Sequence, residues 1–492
     1  MSVLAEWKSL FLGGNFSKIV VLGGGIALHA INIFVGSTLM PSIVKDIGGV
    51  DLLAWNTTLY IVASILASVF VAHHPAGLGP RQVYAIGAAS FAIGSLLCGT
   101  ALHMESMLLG RFVQGFGAGI LVAISYSMVR ALFIESLWPR ALALMSVVWG
   151  GATLLGPAIG GVMAAAELWR LSFWILLPAA CSLFFIAWSV LPEEFAGSKD
   201  SPPPLLQIVL LSASIMLLSL AGTAAELNIL IAGAFLLLGF ISAAVIVWRE
   251  NYSLAKLLPT GAFSMHSPLF ILYLMMILIS ACQASEIYVP YFLQLLKKQQ
   301  PLWAGYMVST IAFGWMLGAI CSAGLTGRKA RIAVLVGPIV VFLSFVGLSI
   351  FLPVPRVAVD RNETVAIVVC LSGLGLGIGV CWPHLQSAVL SRALPREEDL
   401  TSASIPIIQQ FASALGAAVA GLVVNFNGVS DVVNLNSLSN AAWWLYFTTS
   451  TVAALVVPLA LFATRIVSPI KTSDPNGIKS LNKTSLDRTT NV

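Results

Sequence analysis

Apolar residues in this chain do not alternate with polar ones. They run in long blocks separated by short polar turns. A helix needs about 20 apolar residues to cross the hydrocarbon core of a bilayer, and blocks of that length recur from end to end. Six come first, at 20–40, 53–72, 83–101, 108–129, 141–164 and 172–191. Two follow at 205–223 and 227–247, and six more at 269–293, 304–325, 332–352, 365–385, 403–424 and 442–463. The pattern predicts an all-α integral membrane protein with 14 transmembrane helices: two six-helix bundles joined by a two-helix insert. The domain limits expected are 1–192 and 266–463 for the bundles, 193–265 for the insert with its linkers, and 464–492 for a polar, disordered tail.

Composition agrees with the pattern. Charged residues are 9% and hydrophobic residues 58% of 492, against about 25% charged in a typical soluble domain. The first block exceeds a signal-peptide core, and others follow it, so it reads as a span. The six cysteines lie in apolar blocks without metal-ligand spacing and read as small buried hydrophobes. No nucleophile elbow, phosphate loop or His/Asp metal cluster is present, so the sequence predicts no enzyme, cofactor or metal site. The net charge of +5 is an orientation signal, with no nucleic-acid partner implied. With the amino terminus inside, eighteen Lys and Arg fall in cytoplasmic segments and six in outer ones. The positive-inside rule then places both termini in the cytoplasm of a multi-pass protein of the inner (plasma) membrane.

Ionisable groups inside spans are costly, so each asks for a reason. Arg111 shares a helix face with Gln114 and Gly115, at i, i+3 and i+4. It either anchors a buried polar face beside a transport cavity or snorkels to the headgroups. Glu286 and His29 are the proton or coupling candidates. Glu286 alternatively sits at the outer water boundary, and His29 is a satisfied core histidine. Gly150, Gly156, Pro157, Gly160 and Gly161 crowd one span; they form either a static packing seam or one on which the two bundles rock. A second glycine-rich helix carries Gly373, Gly375, Gly377 and Gly379 before Trp382-Pro-His384.

These residues resemble the major facilitator superfamily, in particular its 14-span drug:proton antiporter group. Arg111-x-x-Gln114-Gly115-x-Gly117 matches the span-four motif, and Gly150 to Gly161, ending Gly156-Pro157-x-x-Gly160-Gly161, matches the span-five motif. Trp169-Arg170 before span six, and Val289-Pro-Tyr-Phe-Leu-Gln294 followed by Ala304-Gly305, are also similar. The resemblance implies alternating access between two bundles, and it departs at two places. Asn32 stands where members often carry an aspartate in span one. In the loop after span two, Gly79 and Arg81 are kept as gate-loop residues while Ala76 stands at the acid position.

The cavity candidates are the amides Asn32, Gln114, Gln283, Gln409 and Gln410, the aromatics Tyr126, Trp149, Tyr288, Trp315 and Trp382, and Arg111. Amides donate and accept hydrogen bonds, and aromatic faces stack planar solutes. Two functions compete. The absent acids favour uptake of a small, largely uncharged aromatic solute, a flavin-like vitamin such as riboflavin. The family favours proton-coupled multidrug efflux. The partners expected are the bilayer, a small-molecule substrate and, in the second reading, protons, with the chain acting as a monomer.

The basic bias predicts that reporter fusions at Lys479 and at Arg361 lie on opposite sides of the membrane. The same side for both would refute the fourteen-span map.

Overall fold

Proline positions decide where the apolar blocks break and where they run on. The computed structural model describes residues 15–48, 53–72, 78–194, 204–224, 228–250, 252–253, 256–355, 360–395, 397–427 and 435–466. Ala76, most of the insert's first linker and the tail from 467 lie outside the described residues. All regular elements among the described residues are helical. The first seven are α1 (Asn15–Ile47), α2 (Leu53–Ala72), α3 (Pro80–Gly99), α4 (Met104–Leu132), α5 (Trp138–Ala165), α6 (Trp169–Trp174) and α7 (Leu176–Val190). The insert helices are α8 (Leu205–Ala224) and α9 (Ile229–Glu250). The last seven are α10 (Pro268–Gln283), α11 (Val289–Leu295), α12 (Pro301–Ser322), α13 (Gly327–Phe351), α14 (Arg361–Leu390), α15 (Glu398–Phe426) and α16 (Leu435–Ile466).

Among the described residues, twelve segments are long and apolar enough to cross a membrane. The α6–α7 and α10–α11 pairs each count as one of these. The remaining two helices, α2 and α8, carry shorter apolar stretches, Thr58–Ala72 and Leu206–Leu218.

Two expected spans are broken, each four residues before a proline. Proline has no N–H for the carbonyl four residues back, and its ring crowds that carbonyl. Pro178 therefore ends α6 at Trp174. Pro290 frees the carbonyl of Glu286, and the chain tightens into a 3₁₀ turn, Ala284–Tyr288, whose following amide at Val289 bonds Glu286 instead. By contrast, α13, α14, α15 and α16 continue through Pro338, Pro383, Pro406 and Pro458.

Helix α4 packs between α2 and α3, and α14 packs against α12 and α13. The two halves meet where α5 lies on α12 and where α15 crosses α2 and α4. Helix α8 pairs with α9 and also rests on α15 and α2. An apolar cavity of about 200 Å³ lies between the insert and the carboxy-terminal half, lined by Leu211, Ile246, Phe270, Leu274, Ile407 and Phe411 among others. Large apolar side chains such as Phe185 and Leu230 project outward, 70% and 79% exposed. A water-facing surface does not carry so many, whereas lipid accepts them. Cys181 and Cys321 also project outward, which corrects the expectation that all six cysteines are buried; Cys98, Cys282 and Cys381 are buried.

Each half is tied at one rim. The Asp46 carboxylate at the end of α1 pairs with Arg170 and accepts from Trp169 Nε1 at 3.1 Å. Arg170 Nη2 donates to the Ala101 carbonyl at 3.1 Å, joining the α3–α4 turn to the same knot. In the other half Lys297 meets Glu363 at 2.7 Å, with both side chains nearly buried, and donates to the Val354 carbonyl at 2.6 Å. The hydrogen bond from Arg170, then that from Trp169, holds the Asp46 carboxyl below the ordinary carboxylate range. A lowered native pKa stabilises the fold above the unfolded value and is lost as pH falls through the native one. Asp46→Asn should therefore lower the thermal midpoint at neutral pH, and the gap to the native protein should close as pH drops below about 4. Unfolding scans in detergent across that range check this.

Candidate functional site

The polar centre of the amino-terminal half exists because α4 lets two neighbours come within backbone distance. A Cβ on Gly115 would lie 2.3 Å from the Tyr60 carbonyl oxygen on α2. A Cβ on Gly117 would lie 2.2 Å from the Phe91 amide nitrogen on α3. With no side chain at either position, the facing polar groups of α2, α3 and α4 share one small space.

Arg111 fills that space and is 1% exposed. It does not snorkel. Its Nη1 donates to Asn32 Oδ1 on α1 and to Gln114 Oε1 at 2.8 Å, and its Nε donates to the Asn56 carbonyl at 3.4 Å. Its guanidinium carbon lies 4.1 Å from the centre of the Tyr60 ring, a cation–π contact. Gln114 Nε2 passes the network on to Ser95 Oγ at 2.7 Å. Tyr60 in turn hydrogen-bonds His29 Nδ1 at 3.2 Å and stacks on its ring, while Trp149 of α5 meets that imidazole edge-on at 5.5 Å. Asn32, Arg111, Gln114, His29 and Trp149 thus form one connected group. Asn56, Tyr60 and Ser95 complete it and were not singled out in the sequence; polar residues inside apolar blocks were the available signal.

The carboxy-terminal candidates are more dispersed. Trp315 on α12 and Trp382 on α14 meet edge to face at 6.1 Å. Gln409 and Gln410 lie half-buried on α15. Tyr288 leans on Phe292 with ring centres 6.3 Å apart. Glu286 sits half-buried in the 3₁₀ turn with Gln283 hydrogen-bonded to its side chain. The buried Tyr446 of α16 interacts electrostatically with it, and that hydroxyl has no hydrogen-bond partner among the described residues.

Tyr126 belongs to neither group. It accepts from Gln386 Nε2 of α14 at 3.3 Å, across the boundary between the halves. Two further bonds lie at the same end of the molecule. Ser127 Oγ donates to Asp399 Oδ1, and Arg130 Nη1 donates to the Leu390 carbonyl at 2.7 Å. Ser127, Arg130, Gln386 and Asp399 were not among the sequence candidates, because partners about 260–270 residues apart leave no local pattern.

The family model described as Major Facilitator Superfamily matches residues 22–421. The chain belongs to the major facilitator superfamily. It is a transporter and not an enzyme. It is 33% identical over 436 residues to a Mycobacterium tuberculosis protein named "Probable multidrug-efflux transporter", covering 86% of this chain and 90% of that one. It is 26% identical over 419 residues to "Multidrug resistance protein 3" of Bacillus subtilis, covering 83% and 79%. Among solved structures, the proton:xylose symporter XylE shares the fold with a TM-score of 0.63 at 12% identity, covering 95% of this chain and 98% of that one. The human organic anion transporter MFSD10 does so with 0.66 at 16%, covering 90% and 99%. Riboflavin uptake gains no support from these relatives, whose names favour the efflux alternative.

The geometry refines two expectations, the α5 glycines as a static or a rocking seam and the gate loop of the resemblance. The glycines of α5 do not form one seam between the bundles. Only Gly150 faces the other half, where a Cβ would lie 3.0 Å from the Ala312 carbonyl oxygen of α12. Gly156 and Gly160 face α1 within their own half, with a Cβ 2.4 Å from Phe34 Cβ and 2.9 Å from Thr38 Cβ. A Cβ on Gly161 would meet nothing within 4 Å. Pro157 lies inside the helix between them. The gate loop likewise closes on its own half. Arg81 pairs with Glu193 at 2.9 Å, donates to the Leu191 carbonyl at 3.3 Å and lies over Trp188. Gly79 sits so close to the Glu193 carbonyl that no side chain fits there.

The α5 geometry separates two glycines of one motif. Gly156→Leu should cost about 1–3 kcal/mol of stability through overlap with Phe34, while Gly161→Leu should leave the fold unchanged. Thermal unfolding of the two purified variants checks the contrast.

Proposed function

We propose that this chain exports amphipathic, cationic drugs across the plasma membrane in exchange for protons. The observation that carries the reading is the long match, along most of both chains, to the tuberculosis protein named as a multidrug-efflux transporter. We take the map to be fourteen spans with both termini cytoplasmic, two six-helix bundles and a two-helix insert between them. The bonds from Ser127 and Arg130 to α15 and α14 then close the cytoplasmic side of the boundary. Alternating access requires them to break.

Glu286 is the coupling residue in this reading. It is held in a helix break, where the backbone is already open, beside Gln283 and Tyr446. A carboxylate placed there can carry either a proton or the positive end of a drug, but binding one displaces the other. That exclusion is what antiport needs. The planar part of the solute has Trp315, Trp382 and Tyr288 available for stacking, and the amides of Gln409 and Gln410 for polar contact.

Expression in a drug-sensitive bacterium lacking its own pumps should lower ethidium accumulation several-fold, and a proton uncoupler should restore it. Glu286→Gln, which keeps shape but carries no exchangeable charge, should remove at least 90% of the uncoupler-sensitive efflux with normal membrane levels. Efflux unchanged by Glu286→Gln would remove Glu286 from coupling. Rescue of a riboflavin auxotroph, without drug efflux, would overturn the direction and the substrate class.

A further inference from the structure

Arg111 is a buried cation whose charge no acid among the described residues balances. Its hydrogen-bond acceptors are the Asn32 and Gln114 side-chain oxygens and the Asn56 carbonyl, and its ring partner is Tyr60. All are neutral. Among the described residues the ion pairs are Lys45–Glu167, Arg81–Glu193, Arg170–Asp46 and Lys297–Glu363, and none includes Arg111. A guanidinium cannot shed its charge by deprotonation at physiological pH. Neutral dipoles soften an isolated buried charge but do not cancel it.

The same space holds unused donors. Arg111 fixes the Asn32 amide with its oxygen toward the guanidinium, and the amide nitrogen has no partner among the described residues. Both amide atoms of Asn56 also lack partners among the described residues, although the residue is 0% exposed. Whichever way that amide is flipped, it presents an unpaired NH₂. Opposite the guanidinium stands Gly36, where a Cβ would lie 3.6 Å from Nη2. At that distance a Cβ would be in ordinary van der Waals contact, so the backbone of α1 packs closely on this side of the cation.

A buried positive charge bonded by two residues whose amides keep unpaired donors is a setting that favours negative charge. We propose that Arg111, Asn32 and Asn56 form a binding site for a small monovalent anionic group, of the halide or carboxylate class. The anion balances the guanidinium and accepts from the amides. Water would satisfy the donors but leave the charge, so water alone does not complete the site. The site concerns ion binding to the protein itself and stands apart from the direction of transport.

The test uses the full-length protein in lipid nanodiscs. Its unfolding midpoint is followed while sodium chloride replaces sodium isethionate, a bulky sulfonate outside the proposed ligand class, at constant ionic strength. A specific anion stabilises the native state by mass action, so the midpoint should rise by a few degrees and then saturate. Asn32→Asp places a carboxylate on the guanidinium, so its midpoint should already be high in isethionate and should not respond to chloride. Asn56→Ala removes one donor to the anion and should weaken the apparent chloride affinity about tenfold. Sodium benzoate separates the sources. If it shifts the midpoint and competes with chloride, the group bound is a solute carboxylate; if chloride alone acts, it is a free halide. A flat chloride titration of the native protein, meaning water alone in the pocket, overturns the site. So does an equal chloride shift in Asn32→Asp.

Discussion

A charge removed from water has to be answered by groups the protein itself brings, and Arg111 organises one half of this transporter around that demand. Four helices contribute: α1 through Asn32, α2 through Asn56 and Tyr60, α3 through Ser95, and α4 through Arg111 and Gln114. They reach each other only because Gly115 and Gly117 leave no Cβ between the backbones. Hydrogen bonds to a charged group contribute about 1.5–3 kcal/mol each where the alternative is an unsatisfied donor. The network therefore fixes the relative position of those helices more firmly than apolar packing alone, which in lipid has no hydrophobic force between helices.

The other half solves a different problem. Pro290 removes one backbone hydrogen bond from the α10–α11 path, and the freed carbonyl belongs to Glu286 itself. One residue thus sets both the break and the location of the acid. An uninterrupted helix would have held Glu286 on a stiff rod; the 3₁₀ turn places it where the backbone can shift between two hydrogen-bonding patterns. Gln283 and Tyr446 are the groups positioned to respond to its charge.

Much of the helical architecture could be read from block length alone, because lipid demands long apolar helices and little else. Arg111 and Gln114 were legible through their spacing on one helix face. The break at Pro290 was in view as a proline but was read as part of a continuous span, since hydropathy is blind to one lost N–H. The α5 glycines were legible as small residues, but which neighbour each one faces depends on helix rotation. Gly156 and Gly160 turned out to face α1. The Arg81–Glu193 and Ser127–Asp399 contacts were hidden for the same reason. Distant partners carry no periodicity, and each residue viewed alone was an ordinary polar side chain near a helix end.

The closing of the Gly79–Arg81 loop onto its own half has a kinetic side. Arg81 ties α3 to the end of α7, and Arg170 ties α1 to α6. In the other half Lys297, just past α11, ties that segment to Glu363 of α14, so each half is braced within itself. Across the boundary, besides the packing of α5 on α12 and of α15 on α2 and α4, run the bonds made by Tyr126, Ser127 and Arg130. At about 0.5–1.5 kcal/mol net for each such bond, that clasp is strong enough to give a definite resting state. It is also weak enough to be released and remade, so three side chains bear on how long each state of the proposed cycle lasts.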